Sequence, residues 1–183
     1  MKVLITGCLG HIGSALIPKF VGVADELILV DNLSTQRYFS CFNLGIKHQF
    51  YTLDVSSDQS LQKLLKLIQA IDFVIHLAAR TDAAGSINYP ADVEKNNFLS
   101  TLNLGKLCHA EKKPLIHISS TSVYGTQKSL VDENCLVEDL KPQSPYAATK
   151  LKEEEFIRTL GRDGLKFNIL RFGTIYGYSV GMR

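Results

Sequence analysis

The chain has 183 residues, the length of one ordinary domain, and can bury about two thirds of its unfolded surface around a single core. Lys and Arg number 20 against 18 Asp and Glu, with 45% hydrophobic and 21% charged residues, a balance that excludes a disordered chain and a nucleic-acid-coating one. No run approaches the roughly 18 apolar residues needed to span a bilayer, so no membrane partner is expected.

In chain order, residues 2–6 (KVLIT) read as a first strand, short and rich in apolar residues. The start that contains them lacks a small-residue cleavage pattern and runs straight into glycines, so it is not a targeting segment, and a cytoplasmic location is the default expectation. The following ITGCLGHIGS places Gly7, Gly10 and Gly13 between that strand and a helix expected over 12–21. A strand feeding such a turn lets the backbone approach a pyrophosphate, whose charge the N–H groups and the positive helix end stabilise. The spacing is GxxGxxG, and glycine turns also arise for purely steric reasons. A second feature therefore matters: Asp31 closes a strand expected over 27–31, where an acid accepts hydrogen bonds from the adenosine ribose and repels a 2′-phosphate. That favours NAD over NADP. Arg37 would soften the preference if it folded back, although a lone loop arginine reads as solvated.

Further strands are expected over 50–54, 73–78, 115–120 and 167–172, and further helices over 58–70, 93–110 and 146–160. The strands lack strict polar alternation, the pattern of strands buried on both faces of a parallel sheet. Regular alternation of strand and helix implies βαβ units and an α/β fold: a doubly wound parallel sheet of about six strands flanked by helices, a Rossmann fold. The longest irregular stretch, 124–144, is long enough inside such a domain to suggest a functional loop. The cysteines at 8, 41, 108 and 135 stand at wide, irregular spacings without CxxC and read as ordinary reduced thiols. His48, His76 and His117 have no ligand spacing, so no metal is expected.

SPYAATK sets Tyr146 and Lys150 four residues apart on one face of a helix, with Ser144 as its cap and Pro145 at its first turn. A phenol is a poor base at neutral pH, and a neighbouring ammonium, helped by a nicotinamide cation, favours the phenolate. SSTSVYG, at the end of the fifth strand, adds hydroxyls at the carboxyl edge of the sheet, where doubly wound folds bind ligands. The KEEE run at 152–155 reads as a solvated helix face.

These residues resemble the extended short-chain dehydrogenase/reductase superfamily, in particular its NAD-dependent sugar-nucleotide epimerase/dehydratase branch and its UDP-glucose 4-epimerase-like members. The resemblance rests on TGCLGHIG, VDNLST, LDV, HLAA, the NN of EKNNFLSTLNL, SSTSVYG, YAATK and RFGTIYG, all in family order. It implies that Gly7, Gly10, His11, Ile12 and Gly13 contact the NAD pyrophosphate, that Asp31 and Asn32 hold the adenosine ribose, and that Asp54 and Val55 meet the adenine. Leu77, Ala78 and Ala79 would line the floor of the groove, with Asn97 on the helix behind it and Ser119 beside the nicotinamide end. Ser120, Tyr146 and Lys150 would be catalytic. Tyr146 would serve as general acid/base and Ser120 would bind the same substrate oxygen, while Lys150 would hold the nicotinamide ribose and lower the tyrosine pKa. The implied reaction is transient hydride transfer from a nucleotide sugar to NAD.

Departures from the family pattern narrow the branch. Dehydratases carry an Asp-Glu pair before VYG and decarboxylases a Glu, whereas this chain has Thr121 and Ser122, which favours epimerisation or simple oxidoreduction. Gly173 and Thr174 stand where many members place a bulkier residue and an Asn, and YSV replaces a usual proline, leaving the sugar open. The family's dimer packs two helices per subunit, which would be 93–110 and 146–160 here. Members are generally much longer. The expectation is therefore one NAD-binding domain over 1–183, with 171–183 leading towards a substrate-binding domain that is missing, and slow or no turnover by this form. Two alternatives stand beside it: a non-catalytic NAD-binding sensor or scaffold module, and an inactive fragment of a dehydratase or reductase.

Overall fold

A computed structural model describes residues 1–35, 37, 44–126 and 130–180. Cys41, the residues at 127–129 of the long irregular stretch, and the last three of the 171–183 segment lie outside the described residues.

Six strands form one parallel sheet: β1 (Lys2–Thr6), β2 (Glu26–Asp31), β3 (His48–Thr52), β4 (Phe73–His76), β5 (Leu115–Ser120) and β6 (Phe167–Phe172). Their order across the sheet is β3-β2-β1-β4-β5-β6, the doubly wound arrangement with its reversal between β1 and β4. Four helices connect them: α1 (His11–Leu16), α2 (Leu61–Gln69), α3 (Pro90–Ala110) and α4 (Pro145–Arg162). Alternate residues of β1 feed opposite layers. Leu4 packs with Leu64, Leu104 and Ile157 of α2, α3 and α4, while Val3 and Ile5 pack with Ile17 and Leu29 on the other face. Among the described residues, no helix is long and apolar enough to cross a membrane.

The first strand and the fifth and sixth occupy the residues expected, and the other differences have local causes. β3 lies two residues earlier than 50–54. It is a solvent-exposed edge strand, so the polar His48 and Gln49 join it, and Gln49 donates to Glu26 of β2 at 2.9 Å. Asp54 instead ends the strand, accepting the Ser56 N–H at 2.9 Å and its hydroxyl at 2.7 Å. The helix expected over 12–21 tightens into a 3₁₀ turn at Ile17–Phe20, where Pro18 has no N–H to continue the α ladder. β4 stops at His76 because its partner β1 stops at Thr6, before Gly7 turns away. Burial on both faces holds for β1, β2 and β4, whereas the edge strands β3 and β6 are only partly covered.

Cys108 and Cys135 are free thiols, and burial pushes Cys108 up to about 12, leaving it protonated and inert.

Candidate functional site

At the reversal between β1 and β4, the carboxyl ends of the strands open onto a cavity of about 740 Å³. Gly7 makes its floor accessible. Its φ of +64° is a left-handed conformation, and a Cβ there would lie 2.5 Å from the Ala78 backbone nitrogen. Gly13 is fixed by close approach alone, since a Cβ would fall 2.5 Å from the Cys8 carbonyl oxygen. The turn is thus pressed against the segment just after β4 and folded tightly on itself, leaving a bare cradle suited to a bulky anion. His11 closes one side, its Nε2 standing 2.9 Å from the Gly177 carbonyl on the segment after β6.

Gly7, Gly10, His11, Ile12, Gly13, Asp31, Asn32, Asp54, Val55, Leu77, Ala78, Ala79, Ser119, Ser120, Tyr146 and Lys150 all line this one cavity, and Arg37 also reaches its wall. Asn97 does not line it. Fully buried on α3, its amide accepts the Arg80 N–H at 2.8 Å and donates to the Arg80 carbonyl at 3.0 Å, fixing the chain after β4. Asp31 also has a structural task the sequence did not reveal: one carboxylate oxygen accepts the Leu9 N–H at 3.1 Å and the other that of Leu33 at 2.9 Å. It thereby ties the glycine turn to the loop after β2.

At the opposite end, Ser144 caps α4 by accepting the Ala147 N–H at 3.1 Å, as its position predicts. This aims Tyr146 and Lys150, only 8% and 4% exposed, at the end of β5. Ser120 lines the same cavity wall as Tyr146 and accepts from the Ser122 backbone and hydroxyl at 3.2 and 2.9 Å. Burial holds the phenol above its ordinary value, against the opposing pull of the Lys150 ammonium. The expectation that Lys150 favours the phenolate is thus met in sign but outweighed.

The KEEE run is not a solvated face. Glu153 and Glu154 are 0% and 1% exposed, and each is committed to a buried partner. Glu153 Oε2 accepts from Lys150 Nζ at 2.9 Å and stands 3.1 Å from Nε2 of the fully buried His117. Burial works to raise the Glu153 carboxyl, but Lys150 and His117 bring it down to about 2. Glu154 accepts the Ser119 hydroxyl and grips Arg171. The signal that could have located them is helical spacing: a stripe from Tyr146 through Lys150 to Ile157 passes over Glu153 and Glu154, so both belong to the inward face.

His76 and His117 are strand histidines whose rings lie 5.7 Å apart, tilted by 38°, and His76 joins Thr6 at 2.7 Å and Thr101 at 3.2 Å. No group of three or more His, Cys, Asp or Glu suited to a metal occurs among the described residues.

Residues 3–183 match the family model described as the NAD dependent epimerase/dehydratase family. A putative UDP-glucose 4-epimerase of Methanocaldococcus jannaschii is 31% identical over 179 residues, covering 96% of this chain and 56% of that protein. Among solved structures, the UDP-N-acetylglucosamine 4-epimerase from Methanobrevibacter ruminantium in complex with UDP-N-acetylmuramic acid superposes with a TM-score of 0.85 at 29% identity, covering 96% of this chain and 56% of that one. The UDP-glucuronic acid 4-epimerase from Bacillus cereus, in complex with UDP-glucuronic acid and NAD, gives 0.84 at 32% identity, with 97% and 58% covered. The chain spans about half the length of the curated relatives it matches.

Proposed function

The chain belongs to the NAD-dependent epimerase/dehydratase family, and from that premise we propose that it binds NAD in preference to NADP and epimerises a nucleotide sugar. The observation that carries this reading is the meeting of Ser120, Tyr146 and Lys150 in the same cavity as the glycine cradle. The cradle supports NAD on physical grounds: its backbone is bare where a side chain would collide, and Asp31 stands at the end of β2, where it would repel a 2′-phosphate.

Gly7, Gly10, His11, Ile12 and Gly13 would hold the pyrophosphate, Asp31 and Asn32 the adenosine ribose, and Asp54 and Val55 the adenine. Leu77, Ala78, Ala79 and Ser119 would complete the wall towards the nicotinamide, with Asn97 supporting it from behind. When bound, NAD supplies a reversible hydride acceptor. Tyr146 takes the proton of the sugar hydroxyl and later returns it, Ser120 holds the same oxygen, and Lys150 fixes the nicotinamide ribose and draws down the phenol. Epimerisation rather than dehydration is supported by the turn at Thr121–Tyr124, where Thr121 and Ser122 put hydroxyls in the place an eliminating enzyme needs acids. A sensor or scaffold module would have no use for a buried Tyr146 and Lys150 on the same cavity wall as Ser120.

Residues 1–183 are taken as one NAD-binding unit. A homodimer through α3 and α4 accompanies the proposal, supported by the surface groove that Ala91, Phe98, Leu99 and Lys152 form along the two helices. Sedimentation at dimer mass supports that arrangement, and a monomer at every concentration refutes it.

Calorimetric titration with NAD and NADP tests the cofactor, and mixing with UDP-glucose, UDP-N-acetylglucosamine or UDP-glucuronic acid tests the chemistry through the reduced-nicotinamide band and product epimer analysis. Tight NAD binding is expected, with interconversion of one 4-epimer pair no more than slow. NAD binding with neither reduction nor epimer exchange would leave the sensor reading in possession.

A further inference from the structure

Lys150 is held from behind. The residue lines the cavity, yet its Nζ donates at 2.9 Å to Glu153 one turn further along α4, in a place where the two side chains are 4% and 0% exposed. Glu153 is the single carboxylate within ion-pair distance of Lys150 among the described residues, because Glu154 is already taken by Arg171, Arg158 and Ser119. The same oxygen that receives Lys150 also stands 3.1 Å from His117 Nε2 on β5.

Stability alone does not account for this cluster. A buried ion pair about breaks even against well-packed apolar residues. Here, moreover, three buried polar atoms, Glu153 Oε1 and both nitrogens of His117, complete no hydrogen bond among the described residues. Such unsatisfied groups cost stability and call for another reason to be present. The geometry offers one. A lysine has four rotatable bonds, so an ammonium that must meet one ribose needs a fixed point, and a carboxylate three residues on provides it without entering the cavity.

We propose that Glu153 is a positioning residue for Lys150: its carboxylate anchors the ammonium at the wall of the cavity and balances its charge, so that Lys150 is already aimed at the nicotinamide ribose before the cofactor arrives. The inference rests on the NAD-binding reading above. It also accounts for the state of Tyr146. Glu153 opposes the pull of Lys150 on the phenol, so the ammonium serves first as a tether and only partly as a source of field.

The test compares NAD with ADP, which lacks the nicotinamide ribose, by calorimetric titration of the wild type, Glu153→Gln and Glu153→Asp. Wild type is expected to bind NAD more tightly than ADP. Glu153→Gln keeps the shape but loses the charge; it is expected to bind ADP as wild type does and NAD about tenfold more weakly, the scale of one misplaced charge-assisted hydrogen bond. Glu153→Asp keeps the charge on a shorter arm and is expected to fall between them. A packing role predicts the reverse order, with the isosteric Gln harmless and the cavity-forming Asp damaging. That order, or wild-type discrimination in both variants, overturns the proposal. A wild type that binds NAD no better than ADP instead overturns the NAD-binding reading, and this inference with it.

Should neither variant fold, the wild type decides by nitrogen-15 spectroscopy of its lysine ammonium groups. A Lys150 signal protected from exchange with water and missing in Lys150→Arg is expected, and no such protected signal overturns the anchor.

Discussion

Arg171 of β6 grips Glu154 of α4 with two prongs, Nε to Oε1 at 2.9 Å and Nη2 to Oε2 at 2.7 Å. The guanidinium also lies 4.8 Å above the Tyr124 ring, so one arginine joins the edge strand, the helix that carries Tyr146, and the turn after β5. Breaking such a pair leaves a buried charge without its partner, which costs far more than the intact pair contributes. Glu154→Gln is therefore expected to destabilise the fold by about 3–5 kcal/mol in urea unfolding. A double variant, Glu154→Leu with Arg171→Met, is expected to recover most of that loss. Equal midpoints for Glu154→Gln and wild type would show that the grip carries no weight.

Gly7→Ala tests the cradle. The new methyl meets the Ala78 backbone at 2.5 Å and the residue must hold φ +64°, so neither a rotamer change nor a flexible neighbour can relieve it. The strained backbone alone is worth about 1–3 kcal/mol. A lower melting temperature and loss of measurable NAD binding are expected together. Undiminished NAD affinity in a folded Gly7→Ala protein would remove the glycine turn from the site.

The doubly wound parallel sheet and the Ser-Tyr-Lys cluster were legible because each is marked by local pattern. Apolar runs mark β1 and β5 to the residue, and Ser144-Pro145 marks the start of α4. What stayed hidden depends on which way an element faces. Glu153 and Glu154 look like solvent residues in a KEEE run until α4 is docked on β5 and β6, when His117 and Arg171 turn out to be their partners. β3 was misplaced for the converse reason: an edge strand tolerates His48 and Gln49, so its apolar residues do not mark its limits. Asp31 was placed but only half understood, since its bonds to Leu9 and Leu33 need the glycine turn folded back over β2.

That double role of Asp31 sets what its replacement does. Asp31→Asn removes the charge that repels a 2′-phosphate and puts an NH2, which cannot accept, in place of one of the two oxygens that receive the Leu9 and Leu33 N–H groups. NADP binding is expected to gain on NAD by about tenfold or more, with a loss of about 1–3 kcal/mol in stability from the weakened charge-assisted bonds. Paired calorimetric and thermal measurements check both. A shift in cofactor ratio with unchanged stability would mean that the Leu9 and Leu33 bonds contribute nothing.

Acid should weaken the fold in two stages. Burial keeps His76 neutral, aided by repulsion from His117 and Lys150, and burial likewise lowers His117 despite the nearby Glu153. In the unfolded chain both imidazoles take up protons as pH falls through about 6.5, so the unfolded state binds more protons and stability declines. Each contributes up to about 1.4 kcal/mol per pH unit until its folded pKa is reached. Glu153, held at about 2, and Glu154, also lowered, add their own loss below the ordinary glutamate range. Unfolding free energy should thus fall from pH 7 to pH 5 and more steeply below. Among variants, His117→Phe should flatten the first stage. An unchanged slope in that variant would assign the acid sensitivity elsewhere.

Tyr146→Phe separates binding from chemistry. The buried ring is retained, while the hydroxyl that carries the proton is lost. NAD affinity is expected to stay within about twofold, because the phenol contributes at most one neutral hydrogen bond. Sugar-driven reduction of bound NAD, in contrast, should fall by about 10²–10⁴, the usual worth of a positioned acid/base. In the wild type, the reduction rate should climb with pH, since burial holds the phenol above its ordinary value and oxidation of the sugar requires the phenolate. NAD, when bound, would shift that rise to lower pH, because its nicotinamide cation would add to the pull of Lys150 on the phenol. A rate that ignores pH, or that survives the loss of the hydroxyl, would transfer the proton to another group, and Ser120 is the next to replace.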